Sequence, residues 1–146
     1  MKNKKGFTLV EVLLVVVIIA ILAAIVIVAI NPARQISQAN NTQRASDVKT
    51  LIDAVHEYAI DNRGALPAAI TGTATVVGDG GTQIDLCTLL VPTYVAAMPF
   101  DPNATGAHYT DCTDYDTGYT IMTAGSGRLT VASPDAELGE TIAVTR

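Results

Sequence analysis

Between Phe7 and Ile30 only two residues, Thr8 and Glu11, are not apolar. A helix that is apolar all the way round has no face to offer water, so this block must sit in lipid or against other apolar surfaces. As a helix its 24 residues extend about 36 Å, enough to cross the hydrocarbon core of a bilayer. The block also accounts for the composition. The chain has 146 residues, 49% of them hydrophobic, and a mean hydropathy of +0.36. Without the block, about 41% of the remainder is apolar, an ordinary globular value. A single span excludes a polytopic membrane protein. The remaining residues can bury one modest core, which excludes a disordered chain.

The block is too long for the apolar region of a secretory signal peptide. Asn31-Pro32-Ala33-Arg34 follows it without a small-residue cleavage site, so an anchor fits better. Lys2, Lys4 and Lys5 precede the span, and Arg34, Arg44 and Lys49 follow it. The leader lysines lie closer to the membrane, which orients the N-terminus toward the cytoplasm and the rest outside. The formal net charge is −5, and loss of the three leader lysines would leave −8. An acidic body without a basic patch argues against nucleic acid or an anionic membrane surface as its ligand.

Glu11 breaks the apolar pattern. A carboxylate inside a span is costly unless it stays wet or finds a cationic partner. It lies about 6 Å along the helix from Phe7, so water at the membrane edge is one solution. A partner cation is the other.

The segment Lys5-Gly6-Phe7-Thr8-Leu9-Val10-Glu11, with the long apolar run behind it, resembles the type III signal of type IV pilins and type II secretion major pseudopilins. The resemblance covers about thirty residues. It implies that a prepilin peptidase and methyltransferase cuts after Gly6 and methylates the new amine on Phe7. It also implies that Glu11 is the assembly residue. The chemistry is reasonable on its own terms. A glycine before the cut lets extended backbone enter a tight protease site. Cutting at the cytoplasmic edge leaves the apolar helix on the mature chain.

Beyond the span the helix is predicted to continue. Val48, Leu51, Ile52, Val55, Tyr58 and Ala59 recur on one helical face, with Asp47, Lys49, Asp53, Glu57 and Asp61 on the other. Lys49 and Asp53 form an i, i+4 pair. Pro32 interrupts this long helix, as a simple kink or as a point that unwinds on packing into a filament. Gly64 and then Pro67 end it.

Strand signals follow. Thr73–Val77 is β-branched before the Gly78–Gly81 turn, and Asp85–Leu90 suits a short helical turn. Prolines 92, 99 and 102 make 91–103 an irregular loop. Tyr119–Thr123 and Arg128–Ala132 are strands joined at Gly125-Ser126-Gly127, and Thr141–Val144 is a last strand. The expected fold is α+β and pilin-like: a long N-terminal helix, apolar and then amphipathic, packed on a small antiparallel sheet. Its divisions are a leader at 1–6, a membrane or filament-core helix at 7–30, an amphipathic continuation at 31–63 and a β-rich globular part at 64–146.

Cys87 and Cys112 are the only cysteines. Outside the membrane two cysteines in a small domain usually pair, the alternative being two buried free thiols. With His108 they lack a metal-ligand spacing. Asp111, Asp114 and Asp116 crowd a Gly-bounded segment whose Asp114-Tyr115-Asp116-Thr117-Gly118 faintly echoes a calcium loop without its closing glutamate. The resemblance to major pseudopilins makes these the candidate calcium ligands. The competing reading is a solvated acidic loop rich in turn formers. His56 reads as a boundary residue. Asn40-Asn41-Thr42 and Asn103-Ala104-Thr105 match the N-glycosylation pattern. Nothing resembles a catalytic triad, a P-loop or a nucleotide fingerprint.

Two functions remain. The first is a non-enzymatic subunit of a helical filament, whose partners are its own copies, the peptidase, the membrane, and an inner-membrane platform with its motor. Before assembly it is a single-pass protein of the cytoplasmic membrane, and afterwards part of an extracellular filament. The second is a signal-anchored extracytoplasmic binding or enzyme domain. That reading leaves the Gly6, Phe7 and Glu11 register unexplained. The mass of the mature chain separates the two.

Overall fold

The computed structural model describes residues 6–146, so the leader lysines Lys2, Lys4 and Lys5 lie outside the described residues. The chain divides into two compact units between Ile36 and Ser37.

In the first unit, α1 (Leu9–Ile30) carries the apolar block. All of its described side chains are exposed. Its first turn is closed by Thr8, and its end is set by Asn31, whose backbone turns left-handed at φ 46°. Asn tolerates that conformation better than a branched residue. The same residue starts α2 (Pro32–Asp61), because its Oδ1 accepts from the Arg34 N–H at 3.3 Å. Pro32 is therefore the first residue of a new helix, a position where a missing N–H costs nothing. The expectation of one helix kinked at Pro32 is corrected on this point: two helices are separated at Asn31.

In the second unit, α2 buries Val48, Leu51, Ile52, Ala54, Val55 and Ala59. Tyr58 is half-buried at the margin of the same face. The helix ends as expected near Gly64, whose N–H closes on the Ala59 carbonyl at 2.7 Å with φ at 87°. A five-stranded antiparallel sheet follows. Its strands are β1 (Thr75–Gly78), β2 (His108–Asp111), β3 (Asp114–Thr123), β4 (Leu129–Ser133) and β5 (Ile142–Thr145). The order is β1-β3-β4-β5, and β2 pairs with the start of β3. A four-residue helix, α3 (Cys87–Leu90), lies between β1 and β2. Tyr115, Thr117, Tyr119 and Ile121 of β3, with Leu129 and Val131 of β4, are buried. All of these but Thr117 form one cluster with Val48, Leu51, Ile52, Ala54 and Val55 of α2 and with Val77, Leu86 and Leu90.

The acidic segment differs from its expected loop. Asp114 and Asp116 are strand residues of β3, and Asp111 ends β2. A period of two runs through Asp114–Ile121, polar outward and Tyr or Thr inward. Gly118 lies within this run at φ 70°, and a Cβ there would meet the Asp101 and Ala104 Cβ atoms at 3.2 and 3.3 Å. Glycine is needed for both reasons, conformation and close approach.

Candidate processing and assembly site

Gly6, Phe7, Thr8 and Glu11 lie together at the start of α1. Among the described residues nothing comes within 4 Å of where a Gly6 Cβ would stand. Phe7 is 88% exposed. Thr8 is extended at φ −80°, ψ 154° and caps α1.

Glu11 is held by a reciprocal capping box. Its Oε2 accepts from the Thr8 N–H and from Thr8 Oγ1, each at 2.8 Å, while the Glu11 N–H donates to Thr8 Oγ1 at 3.3 Å. The sequence signal is Thr-x-x-Glu before an apolar run. Two consequences follow. Hydrolysis of the Gly6–Phe7 bond leaves every donor of the capping box intact, because all belong to Thr8 and Glu11. Among the described residues Oε1 has no hydrogen bond, so the carboxylate keeps an oxygen for another donor.

The predicted disulfide is formed: Cys87 at the start of α3 bonds Cys112 in the β2–β3 turn, with Cα atoms 5.2 Å apart. Nearby, the Tyr115 hydroxyl accepts from the Leu86 and Cys87 N–H groups and donates to Asp85 Oδ1 at 2.8 Å. Burial pushes that hydroxyl's pKa well above its ordinary value.

The three candidate calcium ligands are spread over different partners. Asp111 Oδ1 accepts from the Thr113 N–H and hydroxyl, Asp114 pairs with His108 Nε2 at 3.0 Å, and Asp116 accepts from Gln83 Nε2 at 2.7 Å and the Gly118 N–H. Among the described residues no three His, Cys, Asp or Glu side chains gather as a metal donor set. His108 has its pKa raised, first by the Asp114 carboxylate and then by the Gly106 carbonyl.

A buried polar cluster escaped sequence reasoning. Arg44, read there only as a charge following the span, is 1% exposed and grips Asp101 through Nε at 2.7 Å and Nη2 at 3.0 Å. Its Nη1 donates to Glu137 Oε2 at 2.8 Å and to Asn41 Oδ1 at 3.0 Å. Asp101 also accepts from the Asn103 and Ala104 N–H groups at 2.9 Å. Burial alone would raise the Asp101 pKa, but Arg44 and those two amides outweigh it and hold it below the ordinary range. Asp47 was placed on the solvent side; instead it accepts from the Tyr119 hydroxyl at 2.9 Å and is half-buried. Of the two sequons, Asn40 is engaged with Glu137 at 2.9 Å, whereas Asn103 is exposed.

A long, exposed apolar helix with a capped first turn fits a class, that of membrane-anchored precursors. The long apolar helix and small antiparallel sheet are consistent with a pilin-like α+β fold. Residues 1–27 match the family model for the prokaryotic N-terminal methylation motif, the signal motif of type IV pilins and pseudopilins. Such a motif implies processing by a prepilin peptidase and a pilus-like polymer. No curated protein and no solved structure matches the chain.

Proposed function

We propose that this chain is a structural subunit of a helical filament, a type IV pilus or a pseudopilus, and works by assembly rather than catalysis. The peptidase hydrolyses the Gly6–Phe7 bond on the cytoplasmic side, and the freed Phe7 amine is methylated. The mature chain waits in the cytoplasmic membrane with its acidic body outside. A platform and its motor then draw it out, and the α1 helices of many copies bundle as the filament core.

The observation that carries this reading is α1 itself. Its described apolar side chains are exposed on every side, so its natural surroundings are lipid first and neighbouring apolar helices later. Inside such a bundle the charge on Glu11 must be paired. Its Oε2 is held by Thr8, and Oε1 accepts from the Phe7 amine of the next subunit, fixing the axial stagger.

Intact-mass measurement tests the processing step. The expected mature protein lacks Met1–Gly6 and carries one added methyl, and a mature protein that keeps residues 1–6 overturns the reading. Glu11→Ala is expected to be cleaved and inserted but to yield few filaments. Wild-type yield, in cells lacking the wild-type subunit, would show that the pairing is wrong.

A further inference from the structure

The two Asn-x-Thr sequons carry the pattern that oligosaccharide transferases read, and the fold treats them in opposite ways. Asn40 and Thr42 lie within α2. Asn40 Nδ2 donates to Glu137 Oε2 at 2.9 Å, and the Thr42 hydroxyl donates to the Gln38 carbonyl at 2.8 Å. Both side chains that a transferase must meet are spent, and the helix holds the backbone away from an enzyme cleft. Asn103 and Thr105 lie between α3 and β2, outside any helix or strand. Both are exposed. Among the described residues neither side chain has a hydrogen-bond partner.

The second sequon stands on a fixed base. The Asn103 and Ala104 N–H groups donate to Asp101 Oδ1 at 2.9 Å, and Asp101 is buried and gripped by Arg44. The Ala107 N–H then closes on the Ala104 carbonyl at 3.2 Å. From Pro102 to Gly106 no side chain is charged, and all but Ala104 are exposed. A bulky group on Asn103 therefore stands in solvent and breaks no contact. Phe100 supplies a second observation. It lies three residues before Asn103, is 40% exposed and is no part of the core cluster. An aromatic ring left in water gains by being covered. Its electron-rich face suits the C–H face of a sugar ring.

We propose that Asn103 is a glycosylation site and that the first sugar it carries stacks on Phe100. The donor is a lipid pyrophosphate-linked oligosaccharide. Asn103 Nδ2 bonds to C1 of the first sugar, and the bond from C1 to the pyrophosphate oxygen breaks. The lipid pyrophosphate leaves with that electron pair. One carboxamide proton passes to a base of the transferase, and nothing is oxidised or reduced. Thr105 is the recognition residue, its hydroxyl free to meet the transferase. The proposal rests on the filament reading in one respect, that the second unit lies outside the membrane.

The test uses full-length protein extracted from its own cells. Intact mass should exceed that of the mature methylated polypeptide by a saccharide, and tandem mass spectrometry should place that saccharide on Asn103. Asn103→Gln and Thr105→Ala should each abolish it. Its loss in Thr105→Ala should lower Tm by about 2–4 °C, the size of one modest contact. In a Phe100→Ala background the same loss should leave Tm unchanged. An unmodified Asn103 peptide in the wild type overturns the proposal, as does a saccharide that survives Thr105→Ala or sits on Asn40. An equal fall in Tm in both backgrounds overturns the stacking on Phe100. None of these results touches the filament reading, which fails instead if the mature protein keeps residues 1–6.

Discussion

Replacing Arg44 by methionine is expected to be the most damaging single change in the second unit. Methionine keeps most of the volume and removes the guanidinium. Four hydrogen bonds are lost, two to Asp101, one to Glu137 and one to Asn41. They are not equal. The Glu137 side chain is 27% exposed and turns to water, whereas the Asp101 side chain is 0% exposed and cannot. The stranded Asp101 charge dominates, so the loss should be about 3–5 kcal/mol, the usual cost of breaking a buried pair from one side. For a unit of this size that is a fall of roughly 10–20 °C in Tm. The residual amides of Asn103 and Ala104 place the loss toward the lower end. Denaturant melts of full-length protein in detergent, with Arg44→Met, Asp101→Asn and the double variant, give the assay. Asp101→Asn added to Arg44→Met should recover part of the loss, because no charge is left stranded. The pH sign is fixed by the same groups. The Asp101 and Glu137 pKa values are lowered. Their stabilising contribution is complete above the ordinary carboxylate range and is lost as pH falls below about 4. An Arg44→Met protein within 1 kcal/mol of wild type, or a double variant no more stable than it, would refute the reasoning.

Cys87→Ser or Cys112→Ser should cost about 3 kcal/mol for a loop of this length and leave cleavage after Gly6 unchanged; calorimetry and intact mass check the two halves. Thr8→Ala should speed amide exchange at Glu11 roughly fivefold by removing the capping hydroxyl, and an unchanged rate would mean that the capping box contributes nothing. His108, with its pKa raised by Asp114, should titrate above 6.5 by NMR. Its ion pair is present below that value and lost as pH rises through the folded pKa. Asp114→Asn should bring the titration down, and a value that does not move would remove Asp114 as the cause.

The anchor, the helical face and the end of α2 were legible because each is a local pattern. Apolar residues around a whole helix, the 3.6-residue period at Val48–Ala59, and Gly64 before Pro67 all act within a few residues of themselves. The capping box was legible too, as Thr8 and Glu11 three apart, and Glu11 needed no distant partner to be satisfied within one chain. The β-rich half was less so. Asp114-Tyr115-Asp116-Thr117 looks like a loop by composition and is a strand by alternation, and the side that is buried decides between them.

By itself the sequence determined what must leave water. The Phe7–Ile30 block has no face to offer water, and the two cysteines had only each other to bond within one chain. The tertiary structure alone decided which polar groups enter the core and which apolar one stays out. Arg44 lies 57 positions before Asp101 and 93 before Glu137, and no local rule connects residues so far apart. Their pairing exists because the 91–103 loop and the β4–β5 turn both pack on α2, and because a buried charge is tolerated only where its partners are brought to it. Leu138 is the converse: an apolar side chain set outward by a turn whose geometry is anchored across the fold at Asn41.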